Sequence, residues 1–161
     1  MGLRTMKRRR RENKTDYKLR KGLLKSGVPR IVVRRSNKYF IVQAVESKEA
    51  QDKVIAGVTS KSLLENGWDV KMKGSLKSIP AGYLTGLLLA RKLKGGEYIM
   101  DLGMTRTIPG SRVFAVVKGL IDGGLNIPAD ESVFPQKERL EGEHLKEDLR
   151  KVIAKVGEAL S

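Results

Sequence analysis

The chain has 161 residues, 40% of them hydrophobic, which is enough for one domain with a core of its own. Lys and Arg number 33 against 18 Asp and Glu, a net charge of +15 at pH 7 that points to nucleic acid or an anionic membrane as partner. The absence of Cys excludes disulfide frameworks, thiolate nucleophiles and Cys-bearing zinc sites, and fits a reducing cytosol.

The charge is concentrated at one end. Residues 1–45 hold 15 Lys/Arg against only Glu12 and Asp16, a net +13, whereas residues 46–161 carry 18 Lys/Arg against 16 acids, a net +2. Residues 1–13 have few apolar side chains and read as a basic flexible arm, with Arg4, Lys7, Arg8, Arg9, Arg10 and Arg11 as candidate phosphate contacts. A secretory signal needs an apolar core, and a transit peptide is poor in acids and rich in Ser, unlike this arm with Glu12. A membrane anchor interleaves bulky apolar residues with its cations, and here Met1, Leu3 and Met6 are all there is. No apolar run approaches the ~20 residues of a membrane span. An anionic polymer is the partner that remains.

From Lys14 the pattern predicts a helix capped by Asn13 or Thr15, with Asp16 in its first turn and Gly27 past its end. On that helix Lys14, Lys18, Lys21 and Lys25 fall in a stripe about 60° wide, with Leu19 and Leu23 opposite to dock on protein. The stretch "PRIVVRRSNKYFIVQAVE" holds two β-rich runs, Arg30–Arg35 and Lys38–Val45, around Ser36-Asn37. That spacing predicts a two-residue hairpin loop with Val33 across from Phe40 and Ile31 from Val42. The other face gathers Arg30, Arg34, Tyr39 and Gln43. Arg30, Arg34, Arg35, Asn37, Lys38 and Tyr39 are therefore the hairpin's candidate nucleic-acid contacts: Arg forks suit phosphates and stack on bases, and Tyr39 adds an aromatic surface. "KVIAGVTS" extends the hairpin into a three-stranded N-terminal meander.

The period then changes. "SIPAGYLTGLLLARKLKGG" reads as a helix with Pro80 in its first turn, Gly95 as its stop, and Gly82 and Gly86 permitting close backbone packing. "EYIMDLGM" reads as a short buried strand. "PGSRVFAVVKGLIDGG" reads as a second core helix, capped by Ser111 and ended by Gly123. "LNIPADESVFPQKERLEGEH" is loop-like, and a last helix from about Glu143 places Leu145, Leu149, Val152, Ile153, Val156 and Leu160 at helical spacing. The expectation is an α/β fold, a mixed sheet covered by helices: arm 1–13, one domain over 14–142, and a C-terminal helix over 143–161. Two further basic loops, one with Lys71, Lys73 and Lys77 and one with Arg106 and Arg112, each feed a helix N-terminus, where cations and free N–H groups suit a phosphate.

Enzyme signatures are mostly absent. The chain has no Gly-Lys pair for a Walker A loop and no G-x-G-x-x-G, and its single histidine, His144, excludes His-cluster metal sites. The competing catalytic reading is a metal-dependent RNA nuclease with Asp101 as one carboxylate. Such a site needs several converging acids, and the hairpin supplies Arg and Lys instead. No catalytic residue, metal or cofactor is assigned.

The blocks "RRRRENKTDYKLR", "PRIVVRRSNKYFIVQ", "AGYLTGLLLARK", "DLGM", "GSRVFAVVKGLIDGGLNIP" and "RLEGEH" resemble a known family over about Arg4 to His144. It is the 5S rRNA-binding family of large-subunit ribosomal proteins numbered eighteen in the universal naming, in its archaeal form, related to the eukaryotic protein numbered five. The resemblance implies a ribonuclease-H-like layer arrangement without catalysis, binding to 5S rRNA and contact with 23S rRNA. It also implies neighbouring large-subunit ribosomal proteins in the central protuberance, and a cytoplasmic location in the large subunit. The family's basic segment corresponds to Arg4 through Lys25, and its hairpin to Arg30 through Lys38.

Overall fold

The computed structural model describes residues 5–49 and 51–160, so the candidate contact Arg4 lies outside the described residues. The arm segment contains one helical turn, α1 (Arg8–Arg11), and is followed by α2 (Tyr17–Lys25). The cap of α2 is Asp16, not Asn13 or Thr15: its carboxylate accepts the N–H groups of Lys18 at 2.9 Å and Leu19 at 3.2 Å. Asn13 instead takes a left-handed φ of 50° just after α1, a conformation Asn tolerates.

Strands β1 (Arg30–Arg35), β2 (Phe40–Lys48) and β3 (Gln51–Thr59) form the expected antiparallel meander, and β4 (Ile99–Asp101) adds parallel to β1, giving the order β3-β2-β1-β4. The hairpin register differs from expectation by two residues: Val33 pairs with Val42, Ile31 with Ala44, and Arg35 with Phe40. The loop is four residues long because Ser36 closes it. Its N–H donates to the Tyr39 carbonyl at 2.9 Å, and its Oγ accepts the Tyr39 N–H at 2.9 Å and the Lys38 N–H at 3.3 Å. A shift of two preserves the parity of a strand, so the same side chains still face inward. Ile31, Val33, Phe40, Val42 and Ala44 are all buried there.

Helices α3 (Ile79–Leu93) and α4 (Arg112–Asp122) cover this inner face, α3 over β2 and β3 and α4 over β1. Ser78 caps α3, its Oγ accepting the Ala81 N–H at 3.3 Å. The helix ends one residue earlier than the expected Gly95, on Lys94 in a left-handed cap. The two helices touch through glycine. A Cβ on Gly86 would stand 2.3 Å from the Val116 carbonyl oxygen, and one on Gly119 would stand 2.1 Å from that of Tyr83. Ser111 occupies the cap position of α4, but its buried hydroxyl has no hydrogen-bond partner among the described residues.

Three further expectations change. β4 is half-buried rather than buried, because it forms a sheet edge. The stretch after Leu125 contains a short helix, α5 (Lys137–Glu141), that anchors itself through buried Leu140. The last helix, α6, spans Glu147–Leu160, later than Glu143, and packs on α3 and the 3-10 segment Ser60–Asn66 through Ile153, Val156 and Leu160. Each of these three side chains contributes about 1.5–3 kcal/mol of apolar burial, which is why α6 docks on its own domain.

Candidate nucleic-acid interface

The basic arm and α2 form one cationic element. Lys7 sits 4.7 Å over the ring of Tyr17, and Arg9 Nε donates to Thr15 Oγ1 at 2.9 Å, so the turn of α1 folds back on the start of α2. Glu12 pairs with Lys14 at 2.9 Å and Arg8 at 3.9 Å, while Arg10 and Arg11 have no side-chain partner among the described residues. On α2, Lys18, Lys21 and Lys25 are exposed on one side, as their spacing requires. Lys14 precedes the helix. The docking face differs from expectation: Leu19 is exposed, and the helix meets the body through half-buried Arg20, Leu23 and Leu24.

The outer face of the sheet carries a charge network that sequence reading did not anticipate. Arg30 from β1 is only 4% exposed, and its guanidinium reaches Asp52 of β3 at 2.7 Å, Asp101 of β4 at 3.5 Å and the Ser47 hydroxyl. Arg20 from α2 adds a 3.0 Å bond to Asp52, tying that helix to the sheet. Burial would raise the Asp52 carboxyl, but hydrogen bonds from Arg30, Ser47 and Arg20 overcome that and hold it at about 2, against an ordinary 3.8. Arg30 therefore offers almost no surface to RNA in the free protein. Its guanidinium is committed to the sheet's own acids and hydroxyl, a structural role. Arg34 lies on the same face, its side chain 43% exposed and bonded to Asp101 at 2.8 Å. Asp101 in turn accepts from Arg34 and the Gly103 N–H and faces Arg30, so its carboxylate is held by cations rather than free for a metal. Among the described residues no group of three His, Asp or Glu side chains is placed to hold a metal ion.

The hairpin loop is where the separate basic segments meet. Two adjoining grooves share Asn37 and Lys77: one is lined by Lys38, Tyr39, Lys73 and Gly74 as well, the other by Arg35, Ser36 and Arg112. The chain brings these side chains together from the β1–β2 loop, the segment before α3 and the first turn of α4. Arg35, Lys38, Lys73, Lys77 and Arg112 are all exposed, and among the described residues no acidic side chain lines either groove. Lys71 and Arg106 are exposed on the flanking loops but do not line the grooves, and His144 is a surface residue.

Comparison with known proteins decides the family. The family described as ribosomal large subunit proteins 60S L5 and 50S L18 matches residues 3–96 and 95–130. The large ribosomal subunit protein uL18 of Methanoregula boonei is 45% identical over 141 residues, covering 86% of this chain and 79% of that one. That of Methanoculleus marisnigri is 46% identical, covering 87% and 79%, and that of Korarchaeum cryptofilum 45%, covering 86% and 70%.

The chain belongs to this ribosomal large-subunit family.

Membership makes it a structural ribosomal protein and not an enzyme, which disposes of the nuclease reading. The family match runs from the arm to the loop after α4 and so takes in both cationic elements. α5 and α6 lie beyond it. The missed partners, Arg20 and Asp52, had no local signal: an acid in a charged turn reads as solvated until the sheet places it beside a buried arginine.

Proposed function

We propose that this chain binds 5S rRNA within the large subunit, helps attach it to 23S rRNA, and stands in the cytoplasmic ribosome among neighbouring proteins of the central protuberance. One observation carries the reading: five exposed cations from three separate segments converge on the hairpin loop with no acid among them. The arm and α2 supply a second cationic element, and two such elements on one domain suit a protein that ties two RNA segments together. Each neutralised phosphate releases counterions, which supplies affinity, while the rigid spacing of Arg35, Lys77 and Arg112 around the loop selects RNA shape. Lys38 and Tyr39 offer a charge and a stacking surface beside it. The competing class is a generic polycation whose binding ignores fold.

A competition experiment separates the two. At ~150 mM salt the protein is expected to prefer 5S rRNA over an unrelated structured RNA of the same length, and the triple change Arg35→Ala, Lys77→Ala, Arg112→Ala is expected to remove the preference while the domain stays folded. Equal binding of both RNAs by the unaltered protein refutes the reading.

A further inference from the structure

Arg34 is held in a way that a simple phosphate contact does not require. Its Nη1 donates to the Val33 carbonyl at 2.9 Å and the Asp101 carbonyl at 2.7 Å, and its Nη2 donates to Asp101 Oδ1 at 2.8 Å. The same Oδ1 accepts the Gly103 N–H at 2.9 Å. These bonds fix the plane of the guanidinium before any ligand arrives. Gly103 then supplies a floor. A Cβ built on it would lie 2.9 Å from Cζ and 3.1 Å from both Nη1 and Nη2, and near-equal distances to these three atoms put that point over the flat face of the group rather than at its edge. A Cβ there would force the guanidinium to move, and the φ of +60° favours glycine for a second reason. One face and three donors are therefore occupied and the side chain is still 43% exposed, which leaves the opposite face and the Nε edge as the parts of the guanidinium without a partner among the described residues.

We propose that this open face of Arg34 is a stacking seat for one unpaired nucleobase of the bound rRNA. A planar cation with a fixed orientation and a covered back is suited to base stacking, the mode by which proteins take hold of bases splayed out of single-stranded loops. Asp101 and Gly103 are positioning residues: they touch no RNA and set the plane. The chemistry does not depend on which rRNA supplies the base. That the base belongs to 5S or 23S rRNA rests on the function proposed above. A phosphate bonded at the remaining Nε edge is the competing use of the same side chain.

The test uses the full chain and a uridine heptamer carrying one central 2-aminopurine, whose fluorescence is quenched on stacking. At saturation, Arg34→Lys and Gly103→Ala are each expected to lose at least about half of the quenching seen with the unaltered protein, whereas Arg139→Lys, at an exposed position of α5 that lines neither groove, keeps it. Arg34→Lys retains the charge and loses the plane; Gly103→Ala retains every RNA-facing group and pushes the plane out of place. Quenching unchanged in both variants, or absent from the unaltered protein, overturns the proposal in favour of a phosphate contact or no contact. If Gly103→Ala fails to fold, as judged by the emission of Trp68, Arg34→Lys alone decides. A parallel titration with 5S rRNA is expected to show both variants about tenfold weaker. No preference of the unaltered protein for 5S rRNA would refute the wider reading, and the heptamer would still decide the seat.

Discussion

Replacing Arg30 with Ala distinguishes a structural arginine from an RNA contact. The side chain is 5% exposed and bridges two carboxylates, Asp52 at 2.7 Å and Asp101 at 3.5 Å. Removing one partner of a buried pair costs about 3–5 kcal/mol, most of it from the carboxylates left without compensation. Here the loss falls at the lower end. Asp52 is one-third exposed and keeps Arg20 and Ser47, and Asp101 keeps Arg34 and the Gly103 N–H. The expected destabilisation is therefore about 3 kcal/mol, including the lost packing of the arginine stem. Urea unfolding at pH 7, followed by the emission of buried Trp68, the single tryptophan, measures it directly. Arg35→Ala, at an exposed position, serves as control and should stay within about 0.5 kcal/mol of the unaltered protein. If Arg30→Ala is equally stable and loses RNA affinity instead, Arg30 is a contact and the network described here is not what holds it.

The same network sets an acid limit. The Asp52 carboxyl is depressed to about 2, so its contribution is fully present above the ordinary value of 3.8 and is lost as pH falls through 2. Partial exposure discounts that contribution to about 1 kcal/mol, and Asp52→Asn should flatten the stability curve between about pH 4 and pH 2; an unchanged acid limb would contradict it. At the α3–α4 crossing, Gly119→Ala places a methyl 2.1 Å from the Tyr83 carbonyl oxygen and should cost about 2–3 kcal/mol by forcing the helices apart. Gly22→Ala, which meets nothing within 4 Å in α2, should be neutral or stabilising by about 0.5–1 kcal/mol, and equal costs at the two sites would refute the close-approach reasoning. For binding, about six phosphate contacts imply a fall of roughly a thousandfold or more between 50 and 200 mM salt, and deleting residues 1–13 should shallow that slope; an unaltered slope removes the arm from the interface.

The core was legible because its signals are local. Pro80, the apolar periodicity and the terminal glycines delimit α3 and α4 within a residue or two. The hairpin register was missed by two because Ser36 draws Tyr39 into the loop, and the faces survived only because a strand repeats every two residues. α5 has five residues, too few to show a period. Among the candidate contacts, the cationic character of each segment was evident, but the meeting of Arg35, Lys77 and Arg112 is a tertiary fact. Parity placed Arg30 on the outer face of the sheet, and an outer arginine reads as exposed. What buries it is Asp52 and Asp101, which lie 22 and 71 residues further along the chain, and no local pattern couples them to it.

Hydrogen exchange of the protein with and without bound 5S rRNA tests the central claim most directly. The account predicts slowed exchange in peptides covering residues 5–25, 34–39, 73–78 and 110–114, with residues 147–160 of α6 unaffected. Protection confined to α6, with the hairpin loop and the segment before α3 exchanging as in the free protein, would contradict it.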